Sequence, residues 1–275
     1  MSGIAGAFAS ASAEHRAALI PYLMVGFPEP GAEPALAATL EAAGADILEL
    51  GLPFSDPLAD GPTVQRAANR SLAAGTTMSA CILSAARIRE RTALPLVMMG
   101  YLNPLLAYGI ERFCADAAAA GVDGLIVPDL PPEEAEGVRA ATRAHAVDLI
   151  YLLAPTSTDE RIQQVAGAAS GFIYCVSLTG VTGARSELSA GLEPFLQRVR
   201  RHTDVPLAVG FGISKPEHVA QVSRLADGVV VASALLDLLD RLPSGDVSAT
   251  VNTYVASLRA ATIRGEGAYS VTGAG

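Results

Sequence analysis

Ala43-Gly44-Ala45-Asp46-Ile47-Leu48-Glu49-Leu50-Gly51 and its counterpart Ala120-Gly121-Val122-Asp123-Gly124-Leu125-Ile126-Val127 share one plan: an Ala-rich run, a glycine, an aspartate and then an apolar stretch. A glycine just past an Ala-rich segment is the common left-handed end of a helix. An apolar run without polar alternation is the pattern of a parallel strand covered on both faces. Each stretch therefore reads as a helix closing directly onto a buried strand.

The same alternation extends in both directions. Strands are predicted near 18–25, 46–51, 95–100, 122–127, 148–153, 171–177, 205–210 and 227–232. Helix-like stretches fall at 32–43, 63–74, 78–91, 110–120, 133–145, 159–169, 191–202, 215–225 and 234–241. Thr158 before Asp159, Pro132 before Glu133, and Ser214 before Lys215-Pro216 mark helix starts. Eight strands, each followed by a helix, predict an α/β fold of the (β/α)₈ barrel type. An open doubly wound sheet is the alternative. It usually has fewer strands and carries its glycine loop after the first, whereas the glycine clusters here come late, at 180–183 and 210–212. The expected organisation is one barrel domain over 1–275, with an extra N-terminal helix in 1–15, a peripheral helix over 246–264 and a frayed tail at 265–275.

The chain has 275 residues, 19 Lys plus Arg against 28 Asp plus Glu, and a net charge of −9. That balance lacks the basic footprint of a nucleic-acid binder. With 51% hydrophobic and 17% charged residues it is not a disordered chain. Cys81, Cys114 and Cys175 are scattered without metal spacing, as expected for free thiols in a cytoplasmic protein. The apolar stretch 17–27 is too short to span a bilayer, and no export signal opens the chain.

In a barrel, chemistry collects at the C-terminal ends of the strands. Glu49 is an acid inside an apolar strand near that end, where it is costly to bury unless protonated or hydrogen-bonded. The following loop, GLPFSDPLADG (51–61), carries Asp56 and Asp60. Ser-Asp-Pro and Asp-Gly-Pro can be turn chemistry alone. Asp60 is nevertheless placed over the same mouth as Glu49, which suits an acid pair with divided roles. MMGYLNP (98–104) and LIVPDLP (125–131) bring Tyr101, Asn103 and Asp129 to the rim. Tyr174 in GFIYCVS (171–177) fits either the core or the site. LTGVTGARSEL (178–188), GFGISKPEH (210–218) and VVVASALL (229–236) follow strands six, seven and eight. A single glycine loop can be a tight turn. Three at adjacent strand ends, two running into helix starts, predict a phosphate site.

At PYLMVGFP (21–28), LELGLPFSDPLADGPTVQ (48–65), GYLNPLLAYG (100–109), GLIVPDLPPEE (124–134), SLTGVTGAR (177–185) and VGFGISKPE (209–217), the chain resembles the tryptophan synthase α subunit family along essentially its whole length. The resemblance implies a lyase that cleaves indole-3-glycerol phosphate to indole and glyceraldehyde 3-phosphate by a retro-aldol step, with no cofactor in this chain. It also implies a pyridoxal-phosphate β subunit as partner in an αββα tetramer. Glu49 matches the general acid/base and Asp60 the carboxylate that engages the indole N–H. Tyr174 matches the active-site tyrosine, Thr182 the threonine of the closing loop, and Gly183, Gly212 and Ser233 the phosphate positions. Tyr22, Met99, Ile126 and Phe211 match the apolar walls around indole. Asp56, Pro57, Asn103 and Pro104 are expected to face the β subunit.

One departure stands out: Ala232 occupies the phosphate position where the family usually has glycine, and strain follows there if its φ must be positive. A stand-alone lyase releasing free indole is the alternative function. A barrel that only activates a partner fits poorly with retention of both Glu49 and Asp60. A phosphosugar isomerase with lysine acid chemistry finds no candidate, because Lys215 is the only lysine.

Overall fold

The computed structural model describes residues 3–176, 191–210, 212–242 and 247–264. Eight parallel strands close into a barrel in sequence order: β1 (Ala18–Met24), β2 (Leu48–Gly51), β3 (Leu96–Met99), β4 (Gly124–Ile126), β5 (Asp148–Leu153), β6 (Ile173–Val176), β7 (Leu207–Gly210) and β8 (Gly228–Val231). β8 returns to pair with β1, which excludes the open sheet. The outer ring comprises α2 (Glu33–Ala42), α3 (Pro62–Ala73), α4 (Met78–Arg89), α5 (Leu102–Tyr108), α6 (Ile110–Ala119), α7 (Glu136–Ala144), α8 (Asp159–Ala168), α9 (Leu192–Arg200), α10 (Pro216–Ser223) and α11 (Ser233–Arg241). Two helices are additional: α1 (Gly3–Ala13) before the first strand and α12 (Val247–Ala260) after the last unit.

The period-2 alternation of strands divides the core into two layers. Ile20, Ile47, Val97, Ile126, Ile150, Phe172, Ala208 and Val230 point into the barrel. Ile4 and Phe8 of α1 join them, and Phe8 meets Phe172 with ring centroids 5.7 Å apart. Leu19, Leu48, Leu50, Leu96 and Val229 belong instead to the layer under the helices. The interior is thus filled by side chains, as a barrel of this size requires.

The aspartates of the two opening stretches serve the opposite end from the site. Asp46 accepts the Leu19 N–H at 2.8 Å and binds the Arg16 guanidinium through both oxygens at 2.6 and 2.7 Å. Asp123 accepts the Leu96 N–H at 2.9 Å and pairs with Arg89 at 3.1 Å. Asp227 repeats the device, accepting from the Leu207 N–H at 2.8 Å and pairing with Arg200. Each carboxylate satisfies a strand N–H at the bottom rim that would otherwise lack a partner. Gly44 and Gly121 have φ of +91° and +83°, as a left-handed helix end demands.

Three sequence expectations need correction. α5 adds a helix where none is predicted; Pro104 lies in its first turn, where its missing N–H costs nothing. The stretch 133–145 splits into a short 3₁₀ turn, Pro132–Glu134, and α7. Lys215, not Ser214, occupies the N-cap position of α10, without a side-chain cap bond. Thr158 behaves as expected, accepting the Arg161 N–H at 3.3 Å. The tail 265–275 lies outside the described residues. Among the described residues no helix is long and apolar enough to cross a membrane.

Candidate active site

A cavity of about 490 Å³ opens at the C-terminal mouth. Its floor is the uppermost inward layer of the strands: Tyr22 of β1, Glu49 of β2, Met99 of β3 and Tyr174 of β6. Each lies two residues beyond an inward-facing core residue: Ile20, Ile47, Val97 and Phe172. The alternation that fills the barrel below therefore sets these side chains into the mouth above. Register places Tyr22 directly beside Glu49.

Two glycines make room for the tyrosines. A Cβ on Gly51 would lie 1.7 Å from the Tyr22 hydroxyl, and one on Gly210 would lie 2.1 Å from the Tyr174 hydroxyl. We expect Gly51→Ala to force Tyr22 out of its place. Thermal unfolding should then register roughly 1–3 kcal/mol of lost stability from overpacking, and indole release should fall with it.

Glu49 is buried, with 1% of its surface exposed, and its Oε2 has no hydrogen-bond partner. Burial, and secondarily the negative charge of Asp60, push its carboxyl up to about 8. Asp60 hangs from the loop between β2 and α3. Burial raises it to about 6, while the Tyr101 hydroxyl pulls the other way. That hydroxyl accepts the Ala59 N–H at 3.0 Å, and the Tyr101 ring packs on Phe54 at 5.4 Å, so Tyr101 holds the loop that carries Asp60. Two carboxylates in one cavity thus differ in proton affinity, the signature of divided acid–base roles.

The opposite wall is made by Gly212, Ile213, Ser214, Ala232 and Ser233. Gly212 has φ of +76°, and Ser233 opens α11, whose N-terminal amides favour an anion. Ala232 has φ of −110°, so the methyl group at this position carries no left-handed strain. Arg241 is the only basic side chain lining the cavity among the described residues. An anion here would be met mostly by backbone.

Several candidates sit elsewhere. Ile126 is fully buried in the inner core and does not line the cavity. Asp129 is exposed and accepts the Leu102 N–H at 2.9 Å, fixing the start of α5. Tyr101 acts through Asp60 and Ala59 rather than as a wall. Asp56 and Asn103 are exposed on the rim, and Pro57 and Pro104 are half-buried beside them. Thr182, Gly183 and Phe211 lie outside the described residues. Asp237, Leu238 and Tyr254, which do line the cavity, were not foreseen. Tyr254 had a legible signal: a polar-tipped ring beside the buried stripe Val251, Val255 and Leu258.

These features define a β/α-barrel enzyme with a carboxylate pair at one end of its cavity and an anion-receptive wall at the other. The comparisons with known proteins identify the family. Residues 8–262 match the family model "Tryptophan synthase alpha chain". The chain is 56% identical over 260 residues to the tryptophan synthase alpha chain of Roseiflexus sp. (strain RS-1), covering 94% of this chain and 100% of that one. It is 54% identical over 265 residues to that of Chloroflexus aurantiacus, covering 96% and 100%. Among solved structures, Mycobacterium tuberculosis tryptophan synthase superposes with a TM-score of 0.88 at 39% identity, covering 96% of this chain and 99% of that one. The alpha subunit from Legionella pneumophila gives 0.88 at 36%, covering 95% and 98%. The chain belongs to the tryptophan synthase alpha chain family, whose activity is the lyase cleavage of indole-3-glycerol phosphate in tryptophan biosynthesis.

Proposed function

We propose that Glu49 and Asp60 carry this cleavage between them. Breaking the carbon–carbon bond requires a proton on indole C3, which leaves positive charge on the ring nitrogen. Asp60, as a fixed carboxylate near that N–H, stabilises the cation. Glu49 gives the proton to C3 and takes one from the glycerol hydroxyl as the bond breaks. The electron pair of the breaking bond returns to the ring, and the hydroxyl carbon becomes the aldehyde. The observation that carries this is the buried Glu49 with a free Oε2 and a carboxyl poised near 8. Tyr22, Met99 and Tyr174 flank the indole ring. Phe211 adds to the apolar wall around indole, Gly212, Ala232 and Ser233 receive the phosphate together with Gly183, and Thr182 closes over the substrate.

The indole passes to a pyridoxal-phosphate β subunit docked on the rim at Asp56, Pro57, Asn103 and Pro104, in an αββα tetramer in the cytoplasm. Support comes from two large apolar side chains on that rim: Leu58, 93% exposed between Pro57 and Ala59, and Leu106 of α5, 55% exposed. Large apolar side chains left this exposed on one rim favour a partner. The test is indole release with and without a matching β subunit, read by indole fluorescence against a chain that has no Trp. Activity should be low alone and rise with the β subunit. Leu58→Asp should keep the basal rate and lose most of that rise. High basal activity that the β subunit does not alter would favour the stand-alone lyase.

A further inference from the structure

Tyr254 belongs to α12, the helix outside the eight β/α units, yet its side chain lines the cavity beside Gly212, Ile213 and Ser214. Its hydroxyl donates to the Ser214 carbonyl at 3.1 Å. From the other side, the Ser214 N–H donates to His218 Nδ1 at 3.4 Å. The N–H and the C=O of one residue are thus held by side chains from two different helices. Gly212, two residues earlier, has φ of +76°, a conformation that glycine enters and leaves freely. A glycine turn aimed at an anion binds more tightly when something outside it removes that freedom. Burial pushes the Tyr254 phenol up to about 12, so its proton stays in place across the working range.

We infer that Tyr254 is a positioning residue for substrate binding: its hydroxyl clamps the 212–214 turn from α12 at the Ser214 backbone, and so presents the Gly212 and Ile213 amides to the phosphate group. The inference rests on the assignment of Gly212 to the phosphate end. It gives α12 a role in substrate binding by a barrel that closes without it.

The test uses the full chain and the conservative variant Tyr254→Phe, which keeps the ring and its packing. KM for indole-3-glycerol phosphate and the dissociation constant for glycerol 3-phosphate should each rise roughly two- to tenfold, the range for one lost hydrogen bond. The kcat at saturation should be unchanged, a split that a general loosening of the fold would not produce. His218→Leu should weaken binding in the same way. The double variant should then fall short of the product of the two single effects, because both side chains act through the Ser214 backbone. Wild-type KM and affinity in Tyr254→Phe would overturn the inference alone. So would fully multiplicative effects, which would put the hydroxyl on the ligand itself. A wild-type chain that binds no glycerol 3-phosphate would overturn the phosphate assignment and this inference together.

Discussion

Glu49→Gln is expected to lower the rate of indole release by about 10²–10⁴, the usual weight of a positioned general acid–base, while the barrel stays folded. The side chain leaves β2 on the inward face directly above Ile47, so an isosteric amide keeps the packing. What the amide cannot do is cycle a proton between C3 and the hydroxyl. Fold retention can be judged by a stability profile with a definite sign. Glu49 has its carboxyl raised from 4.5 to about 8 in the folded chain. Between those values the folded state binds more protons than the unfolded one, so wild-type stability falls as pH rises through that window. Below about 4.5 both states are protonated and the burial carries no such penalty. The variant should lack this contribution and gain on wild type as pH rises towards 8. Denaturant unfolding at several pH values checks it. An active Gln variant would remove Glu49 from the chemistry.

The barrel was legible because its parallel strands are buried on both faces, and burial on both faces leaves an uninterrupted apolar run. All eight strands lie where such runs lie, and Glu49 stood out as an acid in the middle of one rather than at its start. The sequence was less informative wherever tertiary closure decides the outcome. Asp129 and Asp60 look alike in their loops. Only the packed structure shows that Asp129 accepts from the first N–H of α5, while Asp60 turns into the cavity. Ile126 has the strand position of a wall residue but lies in the core, because the cavity opens towards β1, β2, β3 and β6 and the loops after β7 and β8. α5 has no local start signal: Pro104 is tolerated in a first turn that the sequence alone does not delimit. Tyr254 comes from a helix far along the chain, and nothing local states which strand end it will meet.

Asp60→Asn tests the electrostatic half of the mechanism and should cost about 10²–10³ in kcat, the range for losing one preorganised group aimed at developing charge. Its pH profile is the sharper result. Wild-type activity requires Asp60 ionised and Glu49 protonated, so kcat/KM should fall below about 6 and again above about 8. Removing the Asp60 charge should abolish its part of the acid limb. It should also move the alkaline limb to lower pH, because that charge is one of the two causes holding the Glu49 proton. The alkaline limb should stay above the ordinary carboxylate range, since burial is the larger cause and persists. A phosphate monoester also titrates at about 6, so the acid limb is assigned by the difference between the two proteins, not by wild type alone. The alkaline limb has no such competitor. If it stays fixed in Asp60→Asn, the two carboxylates do not sense each other, and the divided acid pair fails as the mechanism.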